Sequence, residues 1–184
     1  MRMIQRDLLV QLRQQCLATR QRIADAVRSL DGAQLLQRTE PTGWSAGEVL
    51  EHLCVAEGLY EAPLAKVLAG ARADAGAPAR EWKSSLFGGY LAGMLEKPAK
   101  LKAPKAFRPG PTPRGGVVEA FLAQELRWVK VMDDAASLDW RKHGIGSPAL
   151  PGFMPKMNLG DVFRIHVVHV TRHAAQIERV VGKL

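Results

Sequence analysis

The chain has 184 residues, 47% of them hydrophobic and 6% aromatic, and 26 Lys and Arg against 18 Asp and Glu give a formal charge of +8. That length suits one domain with a full core, residues 1–184, and the apolar share excludes a disordered chain. No apolar run approaches the ~20 residues of a membrane span, no secretory h-region is present, and Cys16 and Cys54 form no CxxC pair or disulfide framework. The expectation is a cytoplasmic protein without a membrane partner.

The first predicted helix covers residues 4–30, where Leu8, Leu9, Leu12, Cys16, Ile23, Val27 and Leu30 recur at three- and four-residue steps. Its start, "MRMIQRDLLVQLRQQCLATRQR", has the Arg and Gln content of an organelle address. However, Asp7 and Asp25 interrupt the basic character and the periodicity runs straight through, so it reads as a domain helix. Asp31-Gly32 can end it.

The second helix begins in "GWSAGEVLEHL". Ser45 with Glu48 three residues on is a capping box, and Trp44 before the cap with Val49 inside it is a hydrophobic staple. Val49, His52, Leu53, Ala56, Leu59 and Tyr60 then trace one face, and the helix is expected to pass Pro63, bent, and stop by Gly70. Cys54, two residues from His52, points to another side and reads as a small buried apolar residue.

A long connection follows. A short helix over residues 85–95 is weakened by Gly88, Gly89 and Gly93. Residues 97–114, "KPAKLKAPKAFRPGPTPR", hold six basic residues, no acidic ones and five prolines, so most of the excess charge sits on one irregular, solvated segment. An acidic partner or nucleic acid could use it through Lys100, Lys102 and Lys105, but Phe107 is its one aromatic, which disfavours single-strand binding. Long connections in compact domains are often functional or serve as lids.

The third helix spans residues 116–137, with Val118, Phe121, Leu122, Leu126, Val129 and Met132 toward the core. The fourth starts near Asn158 or Leu159 and runs almost to the end. The resulting fold class is all-α, a four-helix bundle with a long irregular crossover between helices 2 and 3.

Within the fourth helix, His166, His169 and His173 fill gaps in the apolar stripe of Leu159, Val162, Phe163, Val170, Ile177 and Val180, while Arg164, Arg172 and Arg179 lie opposite. Each imidazole buried without a partner costs about 1–3 kcal/mol. Protonation is a poor remedy among like charges, so an ion or ordered waters are expected. His169 and His173, four apart, can converge on one ion, as can His166 and His169, three apart; His166 and His173, seven apart, cannot easily do so. His52 on the facing helix supplies a third ligand, leaving coordination positions open. His143 lies in a loop and reads as exposed.

"GWSAGEVLEHL" early and "HVTRHAAQIERV" late together resemble the DinB/YfiT-like superfamily of four-helix-bundle proteins to which metal-dependent chemistry is ascribed. The resemblance covers both motif helices and the overall length; residues 71–115 match no family feature. It implies His52, His169 and His173 as the metal ligands, with Gln176-Ile177 in the expected place and His166 extra to the pattern. It further implies a divalent ion, zinc or nickel foremost, that lowers the pKa of a water or thiol. The activity implied is that of a hydrolase, or of a transferase or isomerase using a low-molecular-weight thiol, on a small molecule; a homodimer is compatible with it.

The alternatives are a non-catalytic bundle with a structural or vestigial metal site, and an anion or nucleic-acid binder working through residues 97–114. Glu48, Glu51 and Glu57 are the candidate general bases, none preferred, so catalytic residues stay unassigned. "GIGSPALPG" is not a nucleophile elbow, no Walker A loop or GxGxxG is present, and no paired carboxylates suggest a di-iron site.

Overall fold

The computed structural model describes residues 2–97 and 102–184. Its helices are α1 (Gln5–Val27), α2 (Gly32–Leu36), α3 (Ala46–Gly58), α4 (Glu61–Gly70), α5 (Leu86–Glu96), α6 (Val117–Asp134) and α7 (Leu159–Val181). Strands are confined to two short antiparallel pairs, β1 (Arg2–Ile4) with β2 (Glu81–Lys83) and β3 (Gly144–Ile145) with β4 (Met157–Asn158). The fold is mostly helical, as the composition requires. Among the described residues no helix is long and apolar enough to cross a membrane.

Local chemistry accounts for each departure from the expected boundaries. The first helix ends at Val27, and Asp31 starts the short α2 with a capping box of its own, closed by Gln34. The second helix is two helices. Pro63 has no N–H to give the Leu59 carbonyl, so the chain breaks at Leu59-Tyr60, and Pro63 falls in the first turn of α4, where the missing donor is harmless. Leu59 consequently turns outward and is 40% exposed. On α6 the inward face is Phe121, Gln124, Glu125, Trp128, Val129 and Met132, whereas Leu126 is 48% exposed. Phe121, Val129 and Met132 are thus buried as expected, and Gln124, Glu125 and Trp128 complete the stripe in place of Leu122 and Leu126.

Helix α1 packs against α6 and α7, and α3 packs against the same two. Almost every residue of α3 is buried, which fits its central place. Two apolar clusters fill the interior. On α7, Phe163 and Val167 belong to one, while Val170, Ala174 and Ile177 belong to the other, so the histidine-bearing turns straddle their boundary.

The crossover is docked rather than free. Ser85 caps α5 by accepting from Gly88 N, and the fully buried Asp161 of α7 accepts from Ser85 N at 3.0 Å and from the Ser84 hydroxyl at 2.5 Å. Gly88 lies against the Asp161 side chain, leaving no room for a Cβ. Of the basic segment, residues 98–101, Lys100 among them, lie outside the described residues.

Candidate metal centre

The phase of α3 is set at its first turn. Ser45 Oγ accepts from Glu48 N at 3.1 Å, and the Glu48 carboxylate accepts from Ser45 N at 2.8 Å. Trp44 packs on the apolar cluster that contains Val49, and its ring centroid is 4.9 Å from that of His52. Capping box and staple together turn His52, 2% exposed, toward α7.

Asn158 caps α7 by accepting from Asp161 N at 3.0 Å, and the helix then carries His169 and His173 on one face. The ring centroid of His52 is 5.1 Å from that of His169 and 4.7 Å from that of His173, and the last two are 4.7 Å apart. One ligand atom from each of the three histidines falls within 4.8 Å of the others.

Each ring has its own acceptor. His52 Nδ1 is 2.5 Å from the Phe107 carbonyl, His169 Nδ1 is 2.7 Å from Glu57 Oε1, and His173 Nδ1 is 2.8 Å from Gln176 Oε1. Because all three partners are oxygens that accept, each Nδ1 carries a hydrogen, and a neutral ring then keeps its lone pair on Nε2. The Nε2 atoms of His52 and His169 are 3.1 Å apart. At that distance something positive stands between the two nitrogens, either a proton shared as a hydrogen bond or a cation bound to both. Nitrogens bound at ~2.0–2.1 Å to one ion stand about 2.8–3.4 Å apart between octahedral and tetrahedral angles, so the spacing fits a shared cation.

Electrostatics favour the same protonation. Burial, followed by the neighbouring His169, pushes His52 down to about 4. Burial and the adjacent His169 and His52 push His173 well below the usual imidazole value. Both rings are therefore neutral near pH 7, the state that ligates metal. Burial alone would raise the Glu57 carboxyl, but His166 and His169 outweigh it and hold it down to about 2.

Of the three candidate bases, Glu57 is tied to two rings, with Oε1 on His169 and Oε2 2.8 Å from His166 Nδ1. The other candidate bases are equally committed: Glu48 to its capping box and to Arg38, Glu51 to a bidentate pair with Arg114. His166 departs from expectation. It sits apart from the three-histidine cluster, stacked on Trp128 with centroids 4.0 Å apart, and its Nε2 is 3.3 Å from Glu125 Oε2. Burial disfavours its charge, yet the Glu125 and Glu57 carboxylates outweigh that and raise it well above the usual value, so protonation does satisfy this ring. Cys54 is buried outside both groups, and burial pushes its thiol up to about 11. His143 is half-buried in its loop and, among the described residues, joins neither.

The basic segment turns out to be a wall of the site. A short 3-10 turn at Lys105–Phe107 packs on α3 and delivers the Phe107 carbonyl to His52, while Arg114 is drawn onto Glu51. A backbone carbonyl leaves no mark in a sequence, so this contact had no signal to find. Beside the rings opens a cleft of about 1670 Å³, with Trp44, Leu95, Phe107 and Arg172 in its walls. His169, its side chain 13% exposed, is the most accessible of the three.

Fold and cluster together define the class: an all-α protein whose facing helices gather three imidazoles in metal-ligating geometry beside a cleft. The chain belongs to the DinB superfamily, whose family model matches residues 15–177. No curated protein and no solved structure matches it.

Proposed function

We propose that the chain binds one divalent ion through the Nε2 atoms of His52, His169 and His173 and uses it as an enzyme on a small molecule, as a hydrolase or a thiol-dependent transferase or isomerase. In this reading α1, α3 continued by α4, α6 and α7 are the four helices of a single-domain bundle. The observation that carries it is the convergence of the three rings: each Nδ1 is engaged by a different acceptor, the Nε2 atoms of His52 and His169 are 3.1 Å apart, and a ligand nitrogen of His173 lies within 4.8 Å of theirs. Such outer partners fix tautomer and ring angle and raise ligand basicity. Zinc or nickel suits an all-imidazole set.

A divalent ion held there supplies Lewis acidity, lowering the pKa of a water or low-molecular-weight thiol that reaches it. Three protein ligands leave coordination positions for that group, and the cleft provides the approach. Lys102, Arg108 and Arg179 line the same cleft and favour a substrate bearing an acidic group.

The test is metal content in protein purified without chelators. The parent is expected to carry one equivalent more than His52→Ala and one more than His173→Ala. Equal content in all three proteins overturns the assignment.

A further inference from the structure

On the far side of Glu57 lies a second convergence of donor atoms. Cys16 of α1, Glu125 of α6 and His166 of α7 are each 1% exposed. Their donors form a near-equilateral triangle: Cys16 Sγ to Glu125 Oε2 is 3.3 Å, His166 Nε2 to Glu125 Oε2 is 3.3 Å, and Cys16 Sγ to His166 Nε2 is 3.9 Å. The circle through three such points has a radius of about 2.0 Å, so one ion near its centre reaches sulfur at ~2.3 Å and nitrogen and oxygen at ~2.0–2.2 Å with little adjustment. Among the described residues this group and the three-histidine cluster are the two with metal-holding geometry.

Two further observations point to an occupant. Glu125 Oε1 is buried and has no hydrogen-bond partner. A carboxylate oxygen in that position costs free energy that a cation would recover. The orientation of His166 adds to this. Its Nδ1 faces Glu57 Oε2, so its Nε2 is directed at the carboxylate and thiol of the triangle. Neutral His166 with hydrogen on Nδ1 would set a lone pair against the Glu125 oxygen. In the metal-free chain a proton on Nε2 relieves that opposition, and a metal ion would take the proton's place.

We infer that Cys16, Glu125 and His166 form a second, buried metal site for a thiol-preferring divalent ion such as zinc, separate from the three-histidine centre and structural in character. The charges balance. On binding, the Cys16 thiol and the Nε2–H of protonated His166 each give a proton to solvent, His166 binds as neutral imidazole with its Nδ1–H still on Glu57, and thiolate plus carboxylate offset the two positive charges. Mixed sulfur, nitrogen and oxygen donors favour zinc over magnesium or calcium. The three ligands come from three helices, so the ion would pin α1, α6 and α7 at the middle of the core. With Cys16, Glu125 and His166 each 1% exposed, the ion would act on stability. This inference stands independently of the proposed function.

Cobalt(II) titration of the metal-free full chain tests it, since a thiolate ligand gives a sulfur-to-cobalt charge-transfer band in the near ultraviolet and a site made only of histidines does not. The Cys54→Ser variant, in which Cys16 is the single thiol, is expected to show that band at one equivalent per chain. It should be lost in Cys16→Ser, and His173→Ala, which removes the other centre, should keep it. No band in Cys54→Ser at saturating cobalt would overturn the inference and leave His166 held by a proton alone. A band that disappears with Cys54→Ser while the parent shows it would likewise overturn it, assigning the sulfur to the other cysteine. Should Cys16→Ser fail to fold, the Cys54→Ser spectrum decides by itself. Loss of one equivalent of bound cobalt in His173→Ala with the near-ultraviolet band unchanged separates this result from that of the three-histidine reading.

Discussion

Glu57 and His169 meet at 2.7 Å, carboxylate oxygen on Nδ1, and the same carboxylate reaches His166 at 2.8 Å through its other oxygen. A single buried acid on α3 therefore orients two rings of α7 spaced three residues apart. The pairing explains how α7 can carry adjacent core histidines with opposite roles, one aimed into the cleft-side cluster and one away from it.

Glu57→Gln tests that tether. An amide offers one oxygen and one NH2, so one of the two Nδ1–H groups must face a donor. Loss of such a partner typically weakens metal binding by about 10–100-fold, and competition against a chromophoric chelator would measure it. An unchanged affinity would show that His169 is oriented by packing alone.

Metal removal should be felt in stability. An ion that binds only the folded chain adds about 2.7 kcal/mol at a hundred times its dissociation constant. The thermal midpoint of the parent is expected to fall on chelation and recover with added zinc. His173→Ala should respond less than the parent, and an equal response in the two would contradict the role of that ring.

The α3 cap carries a pH signature. The Arg38 guanidinium beside Glu48, against the opposing effect of burial and helped by the Ser45 N–H, holds its carboxyl below the usual range. A folded-state value lower than the unfolded one stabilises above the unfolded pKa and is lost as pH falls through the folded value. Urea midpoints of parent and Glu48→Gln should therefore differ at pH 7 and converge as the pH falls below the ordinary glutamate range. A gap that stays constant with pH would mean that the charge on Glu48 contributes nothing.

Gly160 meets the Trp82 indole where a Cβ would stand, and that indole donates to Asn158, the cap of α7, at 2.8 Å. Gly160→Ala must push the ring or the helix start aside, at a cost of about 1–3 kcal/mol. Chemical denaturation would read the loss, and a neutral substitution would show that the indole moves freely.

What the sequence reveals here follows from how local the cause is. The start of α3 is legible because Ser45, Glu48, Trp44 and Val49 lie within six residues, and the pairing of His169 with His173 because one helix turn brings them together. Asp31 with Gln34 carried the same kind of signal for α2 and was read only as a stop. The partnership of Glu57 with α7, and of Cys16 with Glu125 and His166, joins residues more than a hundred positions apart in the chain. Those contacts depend on helix rotation and crossing, and hydrophobic periodicity blurs that rotation wherever, as at Glu125, a charged side chain replaces an apolar one on the buried face.

Anomalous diffraction from crystals of the zinc-loaded protein, recorded at the zinc edge, tests the central claim most directly. The account predicts a peak about 2.0–2.1 Å from the Nε2 atoms of His52, His169 and His173, each Nδ1 still turned to its oxygen. A zinc-loaded protein with no peak among those rings, or with the ion on an Nδ1 atom, would contradict it.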